Sequence, residues 1–336
     1  MPADRFLLIR LSAVGDVINT LPALSLLRRA RPGATLGFLV EDRAADLLVG
    51  HPQVDHVHVF PRRRWRALGR SPRGWGRLAA ELRSYAAEIR RVGYGVAIDV
   101  QGNVKGGLHA LASGAPERIG FARGYDRELN HWLSTHRVVP PADRPHRVDK
   151  FASLLTALGI EDAERRWEFP STAAFDGEVA AFLGAHGIGP REAVLVHPGT
   201  SGRGLGKRWP AGRFAELSRR IVRELGRPVI VTWGPGEEDL ARSVAGPPRV
   251  VAAPSTRSLL ALLALVRSAR VFVAADTGPL HLAAASGVSC VALFGPKDPA
   301  VYAPYGEGHV VVYRPDGMRH ITVDDVLAAV ARIVPR

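Results

Sequence analysis

Short apolar runs alternate with longer amphipathic stretches along most of the chain. The runs are Phe6–Leu11, Thr35–Val40, His56–Phe60, Val96–Val100, Ala193–His197, Pro228–Thr232, Val250–Ala253, Val271–Ala275 and Cys290–Phe294. They are rich in Val, Ile, Leu and Phe without strict polar alternation, which is the pattern of strands covered on both faces of a parallel sheet. Helical spacing marks Val17–Ala30, Trp75–Arg91, Val148–Leu158, Arg213–Leu225, Arg257–Val266, Pro279–Ser286 and Val323–Ile333. Such alternation predicts an α/β, doubly wound architecture. It occurs twice, from Phe6 to about Phe121 and from about Arg191 to Phe294, with a polar stretch Glu161–Pro170 between. The expectation is two domains, residues 1–165 and 166–336, facing a central cleft, with the last helix able to pack on either. Ligands of such folds bind at the carboxyl ends of the strands.

Length and composition agree: 336 residues suit about two domains, and 46% hydrophobic with 23% charged residues is globular composition. Charge changes the picture more. The net charge is +13, and ten arginines against two glutamates between Phe60 and Arg91 carry +8 of it. That concentration favours an anionic partner: nucleic acid, acidic lipid or a phosphorylated small molecule. Cys290 is the one cysteine, which excludes an intrachain disulfide and a Cys-based zinc site. No apolar run approaches the ~20 residues of a membrane span. Asp4, Arg5, Arg10 and Asp16 interrupt any signal-peptide core, so a cytoplasmic protein is expected.

Four segments at strand ends carry candidate chemistry. Arg10-Leu-Ser-Ala-Val-Gly-Asp16 leaves the first strand and enters the first helix. Asp16 there suits either a helix cap or a general base. His197-Pro-Gly-Thr-Ser-Gly-Arg-Gly-Leu-Gly-Lys207 follows the first strand of the second domain. Its glycines let backbone N–H groups approach an anion, Thr200 and Ser201 add hydroxyls, Lys207 adds a point charge, and a helix N-terminus follows. The spacing matches neither G-x-G-x-x-G nor a Walker A loop, which disfavours dinucleotide and P-loop functions. Asp276-Thr-Gly-Pro-Leu-His281 suits a second anion site at a helix N-terminus, with Thr277 at the cap and Gly278 and Pro279 in the turn; Asp276 and His281 would face the cleft, and spacing alone fits a structural His281 as well as a functional one. Arg62-Arg-Arg-Trp-Arg66 is a basic run with an aromatic, suited to RNA, to anionic lipid, or to a solvated helix face.

Taken in order, Ser12-Ala-Val-Gly-Asp16, Asp99-Val-Gln-Gly-Asn103, Lys207-Arg-Trp-Pro210, Ala275-Asp-Thr-Gly-Pro-Leu-His281 and Phe294-Gly-Pro-Lys-Asp-Pro299 resemble glycosyltransferase family 9, the ADP-heptose:lipopolysaccharide heptosyltransferases. The resemblance spans nearly the whole chain. It implies the GT-B fold: two Rossmann-like domains, the first binding acceptor and the second nucleotide sugar. It implies an inverting transfer that needs no metal and no cofactor, with ADP-heptose as donor substrate. By the same resemblance Asp16 is the catalytic base, Thr200, Ser201 and Lys207 contact the diphosphate, and Glu238 meets the ribose, with Glu237 an adjacent rival. Asp276 contacts the transferred heptose, and Thr277, Gly278 and His281 line the same site.

Within the family, Arg63-Arg-Trp-Arg66 and the Asp99-x-Gln-Gly-x-x-Lys105 pattern look most like the heptosyltransferase I branch, which acts on Kdo of the inner core. The implied acceptor residues are Arg63, Arg66, Gln101, Lys105 and Arg127. Ala67 departs from the pattern, because that branch tends to carry a lysine there. The implied partners are ADP-heptose, an anionic Kdo-lipid A acceptor and the cytoplasmic face of the inner membrane, bound peripherally. A heptosyltransferase II-like or other GT-B enzyme with a different acceptor or nucleotide sugar is the nearer alternative. A nucleic-acid-binding protein using the Arg patch is the distant one; the Gly-rich Lys207 loop argues against it, so no nucleic-acid partner is expected.

Overall fold

A computed structural model describes residues 4–161, 164–200, 206–246, 248–256 and 258–334. The chain divides into two compact units, residues 1–170 and 171–336. The first contains β1 (Arg5–Ile9), α1 (Val14–Ile18), α2 (Leu21–Ala30), β2 (Thr35–Glu41), β3 (His56–Phe60), α3 (Arg62–Leu68), α4 (Pro72–Val92), β4 (Val96–Asp99), α5 (Val104–Ala112), β5 (Glu117–Phe121), β6 (His136–Val138) and α6 (Arg147–Ala152). The second contains α7 (Ala173–Ala185), β7 (Val194–His197), α8 (Ala211–Leu225), β8 (Val229–Val231), α9 (Glu238–Val244), β9 (Val250–Ala252), α10 (Leu259–Arg267), β10 (Val271–Ala275), α11 (Gly278–Ala285), β11 (Ser289–Phe294), α12 (Pro299–Tyr302), β12 (Val310–Tyr313) and α13 (Val323–Ile333).

Each unit builds one sheet, ordered β3-β2-β1-β4-β5-β6 in the first and β12-β11-β10-β7-β8-β9 in the second. All pairings within the named strands are parallel, and both sheets have the same doubly wound order. The nine predicted strands are all present. The three that the apolar pattern missed are β5, β6 and β12, which stand toward sheet edges and bury only part of their residues. The predicted Val17–Ala30 helix is two helices, because Pro22 is tolerated only in a first turn and forces a restart at Leu21. The predicted Val148–Leu158 helix is α6 followed by a 3-10 stretch that ends at Gly159, whose φ of 68° suits glycine.

The first unit retains residues beyond 165. Trp167 Nε1 donates to the Ile18 carbonyl at 3.1 Å, and the Glu168 carbonyl lies 3.0 Å from His51 Nε2. The last helix packs within the second unit: α13 lies on α8 and β12, and the fully buried Trp209 donates through Nε1 to Ile321 just before α13. Trp209 also meets Phe214 edge to face at 4.9 Å, so the Lys207-Arg-Trp-Pro210 motif hangs from the core by its tryptophan.

Candidate active site

Strand order reverses between β1 and β4 in the first unit and between β7 and β10 in the second. Crevices form at the carboxyl ends of strands at such switch points. The segments after these four strands hold Asp16, Gln101, Thr200 and Asp276.

In the first unit Asp16 sits in the opening turn of α1, its Oδ2 2.5 Å from Arg10 Nη2. Arg10 is buried, donates to the Val100 carbonyl at 2.8 Å and lies 4.7 Å over the Phe151 ring. Burial lowers its pKa, and Asp16 works against that shift. An anchored guanidinium thereby fixes where the Asp16 carboxylate points. Gln101 Oε1 accepts from the backbone N–H of Leu11 at 3.0 Å and of Ser12 at 3.4 Å, tying the loop after β4 to the loop that carries Asp16. Asp99 is buried beneath that loop and accepts from Gly102 N and Asn130 Nδ2; burial pushes its carboxyl up to about 6.

A group of cations gathers beside this edge. Lys150 donates to the Tyr125 carbonyl at 2.6 Å and lies 4.6 Å over the Phe121 ring. Burial, then Arg147, Arg127 and Arg10, pull its pKa down to about 8. Four positive groups within electrostatic reach repel one another, and an anion bound among them relieves that repulsion. Of these, Arg127 is among the acceptor residues that the family resemblance implies; Arg10, Arg147 and Lys150 are not.

The other predicted acceptor residues divide. Trp65 is buried edge to face against Phe60 and Tyr85, and its Nε1 donates to Glu81, as does Arg64. These contacts fasten α3 to α4 and leave Arg63 and Arg66, one turn apart, exposed. Lys105 is engaged with Glu41, a carboxylate only 2% exposed that Arg62 also pairs with at 3.1 Å. Glu41 ends β2 and had no signal in the sequence beyond a charge at the close of an apolar run.

In the second unit Asp276 follows β10 and is the centre of a compact charge cluster. Its Oδ2 accepts from Lys207 Nζ at 2.8 Å and from Lys297 Nζ at 2.7 Å, and its Oδ1 lies 3.3 Å from His281 Nε2. Burial opposes the charge on Asp276, but His281, Lys297 and Lys207 together hold it well below the usual carboxylate range. The two lysines differ. Burial and the neighbouring Lys297 lower the pKa of Lys207; for Lys297 burial is outweighed by Asp276, and the pKa rises. Lys297 also lies 4.1 Å over the Tyr302 ring. Thr277 caps α11 without a side-chain bond, and its buried Oγ1 has no partner among the described residues. Gly278 opens α11, whose first N–H groups point out of the helix.

Thr200 is buried after β7 and accepts from Arg208 Nε at 3.4 Å. Ser201 lies outside the described residues. The two adjacent glutamates separate: Glu238 is half exposed on α9 and paired with Arg242, whereas Glu237 turns inward. Glu237 accepts from Gly234 N at 3.1 Å, faces Arg208 at 3.7 Å, and lies so close to Gly199 that a Cβ there would collide with its carboxylate. His197, at the end of β7, is buried against Thr232 Oγ1, and burial lowers its pKa to about 4, which marks a neutral core histidine.

The model of glycosyltransferase family 9 (heptosyltransferase) matches residues 82–322. The chain belongs to this family. It is a glycosyltransferase, 32% identical over 309 residues to lipopolysaccharide heptosyltransferase 1 of Pseudomonas aeruginosa, covering 91% of this chain and 82% of that one. Lipopolysaccharide heptosyltransferase 1 of Escherichia coli K12 is 27% identical over 315 residues, covering 93% and 94%. Among solved structures, E. coli heptosyltransferase WaaC with ADP aligns with a TM-score of 0.82 at 24% identity, covering 98% of this chain and 99% of that one. A family 9 glycosyltransferase from Veillonella parvula aligns with a TM-score of 0.83 at 22% identity, covering 99% and 98%. The two sheets thus have the fold of the GT-B heptosyltransferases. Among the described residues no helix is long and apolar enough to cross a membrane.

Proposed function

We propose that this family 9 glycosyltransferase moves L-glycero-D-manno-heptose from ADP-heptose to the Kdo of a lipopolysaccharide inner core. The observation that carries this is the carboxylate of Asp16, held by a buried arginine beside Arg127, Arg147 and Lys150. That is a base placed next to a site for an acidic acceptor, and Kdo is a sugar acid. The names of the similar curated enzymes point the same way.

In this mechanism Asp16 takes the proton of an acceptor hydroxyl as its oxygen attacks the anomeric carbon of heptose. The bond to ADP breaks on the opposite side, so configuration inverts, and the diphosphate leaves with the bonding electron pair. Lys207, Thr200, Arg208 and the first N–H groups of α11 meet the charge that grows on the diphosphate. Lys297 stays on Asp276 when Lys207 turns to the phosphates, and the fixed carboxylate accepts from heptose hydroxyls. Glu237, rather than Glu238, is assigned to the ribose. Arg63 and Arg66 add positive charge for the acceptor's anionic groups; Gln101 acts through the Asp16 loop, and Lys105 by neutralising Glu41. The positive side chains take the part a divalent cation plays in other transferases, so turnover persists in EDTA. The enzyme works in the cytoplasm at the inner-membrane face, and nucleic acid is not a partner.

The test is transfer from ADP-heptose to Kdo-lipid A and to heptosyl-Kdo-lipid A, read by mass, with the anomeric configuration read by NMR. Asp16→Asn should lower turnover by about 10²–10⁴, the usual contribution of a general base, while ADP-heptose still binds. Wild-type turnover in Asp16→Asn, or a retained anomeric configuration, refutes the mechanism.

A further inference from the structure

The first unit exposes large apolar side chains that neither its core nor the proposed chemistry uses. On α5, Leu108 is 55% and Leu111 41% exposed, and with the half-buried Val104 they form a stripe at i, i+4 and i+7 without a polar side chain. A 3-10 turn, Asn130–Leu133, packs beside α5, where a Cβ on Gly107 would collide with Asn130 and Leu133. That turn and the residue before it expose Trp132 at 74% and Leu129 at 62%. Cations border the apolar area. Arg123 and Arg137 line a shallow depression with Trp132 and with His131, whose ring lies 2.9 Å from Asp126 Oδ2. At the far end of α5, Arg90 Nε donates to the Ala112 carbonyl at 2.9 Å. Two acidic side chains precede the turn: Glu128, and Asp126, which accepts from the His131 backbone N–H at 2.7 Å.

We infer that the face made by α5 and the Leu129–Leu133 turn is a docking surface for an anionic lipid bilayer. The chemistry selects lipid over the alternatives. The face is a helix flank and a turn beside a shallow depression. An exposed tryptophan bordered by arginines has an apolar body for the acyl boundary and cations for the headgroups. A symmetric contact with a second copy would set this patch against itself, arginine against arginine. An anionic bilayer instead satisfies both the apolar stripe and its charged rim. The location also serves the reaction. Arg127 N donates to the Gly102 carbonyl at 2.9 Å, so the turn is tied to the loop after β4 and thus to the sheet edge where Asp16 lies. A head group rising from a bilayer on this face arrives beside the carboxylate. The purpose of the surface rests on the proposed lipid-borne acceptor; its binding test does not.

The experiment is co-sedimentation of the full chain with vesicles free of lipopolysaccharide, either phosphatidylethanolamine with phosphatidylglycerol or phosphatidylcholine alone. The wild type should bind the anionic vesicles at least about tenfold better than the neutral ones, and less as salt rises. Leu108→Ser/Leu111→Ser/Trp132→Ser should weaken that binding about tenfold or more, since it removes the apolar side chains that insert at the acyl boundary. Circular dichroism and transfer to a soluble, deacylated acceptor should be unchanged in this variant, because none of the three side chains is in the core or the site. Equal binding by wild type and variant, equal binding to neutral vesicles, or a monomer–dimer equilibrium abolished by the three substitutions overturns the inference. If the anionic vesicles bind but no heptose is transferred, the proposed function fails and the surface stands.

Discussion

Lys297→Met tests the charge cluster on Asp276. At an effective dielectric of ~20, two unit charges at the observed 2.7 Å attract with a gross energy of about 6 kcal/mol. Most of that is offset by desolvation, and Lys207 and His281 stay on the carboxylate, so the stability loss should be about 1.5–3 kcal/mol, the range for a hydrogen bond to a charged group. The effect on catalysis follows another route. Without Lys297, Asp276 keeps Lys207, and the leaving diphosphate loses a donor. Removing one such contact costs about 2.7–4 kcal/mol, or 10²–10³ in rate. The assay is a double-mutant cycle on kcat/KM for ADP-heptose with Lys207→Met, Lys297→Met and the double variant. Because Lys297 acts by freeing Lys207, the double variant should fall no more than about threefold below Lys207→Met alone. Lys297→Arg, which keeps a cation on the carboxylate, should restore much of the rate. Independent, multiplicative losses, or a Lys297→Met enzyme within about threefold of wild type, refute the reasoning.

Glu237→Ala should raise KM for ADP-heptose by about 10–100-fold, the loss of a hydrogen bond to a charged group, whereas Glu238→Ala should stay within about twofold; steady-state kinetics on both separate the neighbours, and the reverse order sinks the assignment. The acceptor dependence on pH follows from Lys150. Its pKa is lowered to about 8, so the ammonium that attracts an anion is present below pH 8 and is lost above it. kcat/KM for the acceptor should therefore fall as pH rises through 8, and Lys150→Arg should carry the plateau to higher pH; an unchanged profile in Lys150→Arg removes Lys150 from the acceptor site.

Local patterning was enough to read the two doubly wound units, nine of their strands, the motifs at the strand ends and the family resemblance. Each of these lies within one βα unit, where apolar runs, turn glycines and helix-starting residues are neighbours in sequence. It did not reveal β5 and β6, where Glu117, Arg118, His136 and Arg137 interrupt the apolar run, or β12, four residues of which only Val312 is buried. The chemistry of the site depended on folding. Asp276 meets Lys207 across 69 positions and Lys297 across 21, and Arg10 packs on Phe151 far along the chain. One compositional signal was present: in a chain with 45 Lys and Arg, the four lysines are Lys105, Lys150, Lys207 and Lys297. Three of them pair with a buried carboxylate and the fourth joins the cations near Asp16. Neither the spacing of Glu237 and Glu238 nor their shared charge distinguishes them; the approach of Gly199 does. Hydrophobic period and turn chemistry are local and additive along the chain, so sequence suffices for them. Ion pairs form only where parallel strand order brings distant loop ends within a few ångströms, and that order is decided in three dimensions.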